Sequence, residues 1–282
     1  MSKVTAEIVK ELRERTGVGM GKCKEALDAC GGDMEKAIDH LRKAGMASAV
    51  KKEGREVNEG LIGHAESDKA YALLEVNSET DFVAQNDRFK QFIKDVAQDA
   101  AETQPATLDA LLSQPFSKDS SVTVDQYRAL TMQSLGENIR IKRMALLSKS
   151  SDHSVGIYSH MGGKIVTVVT LTGGAGNESF ARELAMHVAA ESPDYLNSDE
   201  VPADVKSREE EIARDQVKGK PANIVDKIVE GKIKAYYDQA CFICQKYIKD
   251  NSLSVAEVVA AEAKRQGKNI TVQSFMRWKV GG

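Results

Sequence analysis

The sequence predicts an α+β fold in which one helix-and-sheet unit occurs twice, with a helical segment before it and a helical insertion within it. The first observation is that residues 61–101 and 155–188 run through the same order of two strands and a helix. The second is that Gly136-Glu-Asn-Ile139 and Gly267-Lys-Asn-Ile270 each stand between a helix and a closing strand. A duplicated core of antiparallel sheets with helices is the simplest account of both observations.

The first segment, residues 3–44, carries three short helical patterns separated by Gly17-Val-Gly19 and Gly31-Gly-Asp33. Its apolar residues recur three and four positions apart, as they do along one face of a helix. A unit of about 45 residues has little core and is only marginally stable alone. We therefore expect a three-helix docking module in residues 1–55, with residues 45–59 as a solvated linker.

The duplicated core is expected to form two subdomains, residues 56–148 and 149–282. The second carries an insertion, residues 198–237, that is predicted to be an antiparallel helical hairpin, or coiled coil, broken at Gly219-Lys-Pro221. Its predicted inward apolar residues are Val205, Ile212, Val217, Ile224, Ile228 and Val229, and its predicted basic tip is Lys218, Lys220 and Lys227.

Composition excludes several classes of protein. The net charge is −3, from 39 Lys and Arg against 42 Asp and Glu, whereas a protein that coats nucleic acid usually has a basic excess. No apolar run is long enough to span a bilayer, and the N-terminus lacks the continuous apolar stretch of a signal peptide. These features predict a cytoplasmic protein without a membrane partner.

Catalytic and metal-binding patterns are not found in the sequence. The pairs Cys23/Cys30 and Cys241/Cys244 are far apart, and the spacing of the first does not match a zinc knuckle, so reduced and mostly buried thiols are expected. The glycine-rich residues 173–176 match neither a P-loop nor a dinucleotide fingerprint. We expect that the protein is not an enzyme, uses no cofactor and does not bind nucleotide directly.

The junction between a predicted strand at residues 71–76 and the helix that begins near Phe82 raises a question of orientation. Ser78, Thr80 and Asp81 can all cap a helix, because a side-chain oxygen accepts from an unpaired backbone N–H. Phe82 either turns inward as a staple against its own core or points outward to wedge into another protein. The corner alone does not decide between the two.

Two long motifs resemble the signatures of one family. Leu12-Arg-Glu-Arg-Thr-Gly-Val-Gly-Met20, followed by Cys23-Lys-Glu-Ala-Leu27, resembles the first signature of the translation elongation factor Ts family. Glu75-Val-Asn-Ser-Glu-Thr-Asp-Phe-Val-Ala84 resembles the second. The resemblance extends over nearly the whole chain, and it implies that the three-helix module is UBA-like. It also implies a guanine-nucleotide exchange factor that binds the GDP-bound and nucleotide-free forms of the GTPase elongation factor Tu and touches nucleic acid only through that partner.

The resemblance also implies which residues act. In the family, the Thr-Asp-Phe-Val corner is linked to displacement of the partner's magnesium ion, and the matching residues here are Thr80, Asp81, Phe82 and Val83. The phenylalanine is implied to wedge into the GTPase domain near the nucleotide, which favours the outward orientation. Asp81 would then either contact the partner or cap its own helix.

Three further contacts are implied outside that corner. The helical segment is implied to press near the partner's phosphate-binding side through Arg13 and Met20, and the second core unit to reach a distal domain through His160. Gly21 departs from the family pattern, since some members carry a second apolar residue there. Two other functions remain open: a binding-only adaptor, and a ribosome- or RNA-associated protein that uses the lysines of the hairpin.

Overall fold

The computed structural model describes residues 4–219 and 221–282 and has the predicted α+β fold. The helices are α1 (Ala6–Thr16), α2 (Met20–Ala29), α3 (Met34–Lys52), α4 (Asp81–Gln85), α5 (Asp87–Thr103), α6 (Leu108–Ser113), α7 (Val124–Leu135), α8 (Glu178–Glu191), α9 (Ala203–Asp215), α10 (Ala222–Ala240) and α11 (Val255–Gln266). The strands are β1 (Glu59–Glu66), β2 (Ala70–Ser78), β3 (Pro115–Phe116), β4 (Asp119–Thr123), β5 (Ile139–Ser148), β6 (His153–His160), β7 (Ile165–Thr172), β8 (Lys246–Tyr247), β9 (Asp250–Ser254) and β10 (Thr271–Lys279).

The chain divides into two compact units. The first contains the chain up to Lys149 together with Met161–Lys164 and Lys279–Gly282. The second contains Ser150–His160 and Ile165–Trp278. The first unit therefore includes both the N-terminal helices and one copy of the duplicated plan.

The two units contain sheets of the same order. In the first unit β2 lies between β1 and β5, and in the second β7 lies between β6 and β10. The β1–β2, β2–β5 and β6–β7 pairs are antiparallel. Each central strand connects to a helix that covers the sheet, α5 in one unit and α8 in the other. The duplication predicted from the sequence is thus present in the sheet topology.

Two glycines let each helix lie close to its sheet. A Cβ at Gly63 in β1 would come within 2.1 Å of a methyl carbon of Ile93 on α5. A Cβ at Gly156 in β6 would come within 2.0 Å of the backbone nitrogen of Arg182 on α8. Both distances are shorter than any normal contact, so the absence of a side chain permits the same close packing in both units.

The duplication extends to a polar position on each covering helix. Asp99 on α5 accepts a hydrogen bond from the side chain of Gln114 at 3.0 Å. His187 occupies the matching place on α8 and bonds to the side chain of Gln245 at 2.9 Å. The backbone N–H of Ile248 donates to Nδ1 of His187 at 3.3 Å. Since Nδ1 accepts, the proton of the neutral ring lies on Nε2 and is donated to Gln245.

This buried histidine gives a pH dependence of stability. Burial lowers the pKa of His187 below its ordinary value of 6.5, against smaller opposing effects of Gln245 and Glu191. The unfolded chain therefore takes up this proton first as pH falls below 6.5, and the free energy of unfolding decreases. We expect His187→Gln to remove part of the stability loss that the native protein shows between pH 7 and pH 5. Urea titrations at both pH values measure the difference, and equal losses in the two proteins would contradict it.

Three sequence expectations are corrected, and the first concerns α3. Residues 45–52 were expected in a linker but are helical. Gly45 and Ala49 are buried on α3, and a Cβ at Gly45 would lie 3.1 Å from Oε1 of Gln133 on α7. The alanine- and lysine-rich composition has high helix propensity, and the small residues allow close packing against α7.

The second correction concerns the helix predicted from Phe82 to residue 101, which is two helices, α4 and α5. Asn86 separates them with an extended backbone, φ −68° and ψ 135°. Its side chain accepts from the backbone N–H of Arg88 at 2.9 Å, so Asn86 ends α4 and caps α5.

The third correction concerns the inserted helices α9 and α10. Ile212 and Ile224, predicted to face inward, are about two-fifths exposed, at 41% and 40%. The apolar seam instead consists of Ala213, Val217, Val225, Ile228, Val229 and Ile233. Lys218 pairs with Asp215 at 2.8 Å, and Lys220 lies outside the described residues.

Candidate functional site

The candidate site is the corner at which β2 turns into α4. Thr80 is the N-cap of α4, with φ −125° and ψ 158°, and its hydroxyl oxygen accepts from the backbone N–H of Val83 at 3.3 Å. At the other end of the helix, the backbone N–H of Asn86 donates to the carbonyl of Val83 at 3.0 Å. Two caps so close together limit α4 to a little more than one turn.

The short helix has an inner and an outer side. Val83 and Ala84 are buried in the core of the first unit. Asp81 lies on the outer side, and Phe82 is 84% exposed. Among the large apolar residues of the described chain, Phe82 has the greatest exposure. The inward staple is therefore wrong, and the outward orientation is the one found.

The predicted corner residues thus have different environments. Thr80 is half-buried and uses its hydroxyl within the protein, whereas Val83 packs inward. Thr80 provides the cap, so Asp81 does not. Within the described chain, the side chain of Asp81 makes no hydrogen bond or ion pair. Phe82 and Asp81 are therefore the two corner side chains available to another molecule.

A second layer of contacts supports the turn before α4. The backbone N–H of Asn138 donates to the Glu79 carboxylate at 2.6 Å. The Arg55 guanidinium lies 3.3 Å from the same carboxylate. The Asn138 side chain in turn donates to the carbonyl of Arg55 at 2.9 Å. These bonds join the end of β2 to the start of β5 and to the segment after α3.

A chain of contacts also links the first signature motif to the helix that follows the second. Ser134 on α7 donates to the carbonyl of Gly17 at 2.7 Å, and Arg88 at the start of α5 donates to Ser134 at 3.3 Å. Gly17 ends α1 in the left-handed region at φ 71°, and its N–H donates to the carbonyl of Arg13. Met20 begins α2, is 44% exposed, and Arg13 is exposed as well. The loop between α1 and α2 is therefore tied to the helix that follows α4.

The third predicted contact lies in the second unit. His160 is exposed at the end of β6, and its Nδ1 lies 3.2 Å from the Tyr158 hydroxyl. Among the described residues, no second hydrogen bond to the His160 side chain is found. Gly21 is exposed on α2, and a Cβ there would have no neighbour within 4 Å.

Other chemistry has little support among residues 4–219 and 221–282. No group of three His, Cys, Asp or Glu side chains in this part of the chain is placed to hold a metal ion. The cysteines are free, and burial raises the pKa of Cys23 and raises that of Cys241 to about 11. None of the described helices has the length and apolarity that crossing a bilayer requires.

The glycine-rich loop before α8 uses its own backbone donors. The N–H groups of Gly174 and Ala175 donate to carbonyls of Asp152 and Ser151 at 3.0 Å. The N–H of Asn177 donates to Ser154 at 3.0 Å. A phosphate-binding loop must point such groups at its ligand, and these are directed into the protein.

Comparisons with known proteins assign the family. A family model described as Elongation factor TS matches residues 79–282, and so begins at the corner. The Elongation factor Ts of Protochlamydia amoebophila is 58% identical over 281 residues, which cover 100% of both chains. The chain belongs to the elongation factor Ts family. The Elongation factor Ts proteins of Chlamydia caviae and Chlamydia pneumoniae are 44% and 43% identical over the same length. Elongation factor Ts is the nucleotide-exchange factor for elongation factor Tu in translation elongation.

Proposed function

We propose that this protein releases GDP from elongation factor Tu by inserting Phe82 beside the nucleotide site. The observation that carries the proposal is an aromatic side chain, 84% exposed, on a helix fixed by caps at both ends. Aromatic anchors contribute strongly to interfaces, because they bury a large area with few rotatable bonds. Asp81, beside it on the outer side, is the second direct contact. Thr80 and Val83 hold the corner in place.

The energetic principle is linkage between two ligands of one protein. A GTPase holds GDP largely through phosphate contacts and a magnesium ion. A factor that stabilises a form of the GTPase with those contacts disturbed weakens GDP binding, and GDP weakens the binding of the factor by the same ratio. The partner then binds GTP from solution. No covalent step takes place on this chain. Its residues need only bind the GTPase and displace the contacts that hold GDP.

The remaining parts have supporting roles in this proposal. The helical segment, residues 1–55, is a UBA-like docking module that presents Arg13 and Met20 to the same partner. Residues 56–148 carry the corner, and residues 149–282 reach a distal part of the partner through His160. The insertion, residues 198–237, packs as a short coiled coil, which its apolar seam supports.

Two further properties belong to the same proposal. The nucleotide stays on the partner throughout, which the inward-directed donors of the glycine-rich loop support. The protein acts in the cytoplasm, which its free cysteines support, because reducing compartments keep thiols unpaired.

The test is catalysis of nucleotide exchange. Elongation factor Tu loaded with fluorescent GDP is chased with excess unlabelled nucleotide, with and without this protein. We expect faster loss of fluorescence at substoichiometric amounts of the protein. A stable complex without faster release would indicate a binding-only adaptor and would contradict the proposal. Salt-sensitive RNA binding without exchange would favour the nucleic-acid alternative.

A further inference from the structure

Glu137, in the turn between α7 and β5, accepts hydrogen bonds from Thr80, the N-cap residue of α4. The backbone N–H of Thr80 donates to one carboxylate oxygen of Glu137 at 3.0 Å. The Thr80 hydroxyl donates to the other oxygen at 2.5 Å. A single carboxylate therefore holds both donors of the residue that begins the helix of Phe82.

The hydrogen bond from the Thr80 hydroxyl to Glu137 also fixes the orientation in which that hydroxyl caps α4. A threonine hydroxyl has one proton to donate and lone pairs that accept. With its proton on Glu137, the Thr80 oxygen presents a lone pair to the N–H of Val83, at 3.3 Å. Without an acceptor at residue 137 the hydroxyl is free to rotate, and the cap loses its fixed orientation.

The contact is reciprocal between two short segments. Thr80 donates its backbone N–H to Glu137. Asn138, which follows Glu137, donates its backbone N–H to Glu79. Each segment thus supplies one carboxylate and one backbone donor to the other. Glu79 and Thr80 directly precede α4. This double contact therefore fixes the position of α4 and the angle at which the chain passes from β2 into α4, and with them the orientation of Phe82.

The second unit provides an internal comparison. Its motif Gly267-Lys-Asn-Ile270 corresponds to Gly136-Glu-Asn-Ile139, and Lys268 takes the place of Glu137. A lysine side chain has no acceptor, so it cannot hold a backbone N–H. After β7 the chain forms a glycine-rich loop where the first unit has α4. The carboxylate that holds Thr80 is therefore present in the unit that carries the exposed Phe82.

We propose that Glu137 is a positioning residue for nucleotide exchange, one that acts through the orientation of Phe82. The inference rests on the proposed function of the corner. In this role Glu137 acts on the corner and not on the partner. It keeps α4 ready for binding, so that the partner does not have to order the corner when the complex forms.

The test is a double-mutant cycle between Glu137→Gln and Phe82→Ala in the exchange assay. The amide keeps the size of the side chain but replaces one acceptor oxygen with a donor. We expect Glu137→Gln to slow exchange about fivefold to thirtyfold in the native background, as for loss of a charged hydrogen bond. In the Phe82→Ala background the same change should have less than about a twofold effect, since residues that act together are not additive. Lys268→Gln is the matched control and should leave exchange unchanged.

A ¹⁹F NMR measurement reports on the environment of Phe82 independently of the nucleotide-exchange assay. The protein is labelled with fluorinated phenylalanine, and the Phe82 signal among the seven phenylalanines is assigned by its loss in Phe82→Ala. We expect Glu137→Gln to shift or broaden that ¹⁹F signal and Lys268→Gln to leave it in place. An unmoved signal would overturn the inference.

The failures of the two proposals are distinguishable. If the native protein does not accelerate exchange, the proposed function itself is wrong. If the native protein is active and Glu137→Gln is equally active, only the positioning role is wrong. Equal slowing by Glu137→Gln in both backgrounds would also overturn it, because Glu137 would then act independently of Phe82.

Discussion

Phe82→Ala is expected to slow release of GDP from elongation factor Tu at least about tenfold, because a central aromatic anchor contributes about 2 kcal/mol or more to an interface. The same change should alter the free energy of unfolding by no more than about 0.5 kcal/mol, since surface substitutions away from packed features are nearly neutral. The side chain is 84% exposed, so its removal leaves no cavity. Stopped-flow release of fluorescent GDP and urea unfolding measure the two quantities.

Val50→Ala is the matched control for this prediction. Val50 is an apolar side chain on α3 with 67% exposure, and it is neither part of the corner nor one of the two proposed contacts of the helical segment, Arg13 and Met20. We expect exchange by Val50→Ala to equal that of the native protein. Exchange by Phe82→Ala within twofold of native would show that Phe82 is not the wedge. A large loss of stability would show instead that Phe82 packs within the protein.

The orientation of Phe82 illustrates what local patterns can and cannot predict. A helix turns by 100° per residue, so in one continuous helix Phe82 would lie within about 20° of Phe89, seven positions later. Phe89 is fully buried, and the predicted continuous helix would have buried Phe82 as well. The break at Asn86 removes that relation. Asn is a common N-cap, so the signal was present, but the apolar spacing masked it.

The strands, the duplication and the corner could be predicted because each depends on neighbouring residues. Alternating and helical apolar spacing, glycine turns and capping residues are all local signals. The boundary of α3 was predicted wrongly because the packing of Gly45 against α7 involves residues far along the chain. Periodicity alone does not show which helix faces which.

The support of the site depends on still longer separations. Glu137 is 57 positions from Thr80 in the sequence, and no local rule joins them. The one available signal was that the two matching motifs differ by Glu137 and Lys268. That difference acquires meaning only when the fold places residue 137 beside the N-cap of α4.

Glu75 lies in the same signature motif as Phe82, and we expect it to act on stability. Its side chain is fully buried and faces Arg143 across the β2–β5 pair. Nε and Nη2 of Arg143 lie 2.7 and 2.6 Å from one carboxylate oxygen. The other oxygen accepts from the backbone N–H of Gly281 at 3.0 Å and from Asn77 at 3.3 Å. One buried carboxylate thus joins two strands and the C-terminal residues of the first unit.

Glu75→Ala is expected to lower the free energy of unfolding by about 3 kcal/mol, because removal of one partner leaves the others without a buried counter-charge. Arg143 retains 32% side-chain exposure and can take up water, which places the effect at the lower end of the range for buried pairs. Glu66→Ala is the control: its carboxylate on β1 is 57% exposed beside Lys149, and such surface pairs contribute less than about 1 kcal/mol.

The two residues of one signature can then be separated by measurement. Urea unfolding should show the loss in Glu75→Ala but not in Glu66→Ala, and GDP release should be normal for Glu75→Ala at temperatures where it stays folded. Phe82→Ala should give the opposite result, with normal unfolding and slow release. A fully stable Glu75→Ala with slow exchange would place Glu75 in the site, because a carboxylate that serves only the fold cannot slow release in a folded protein.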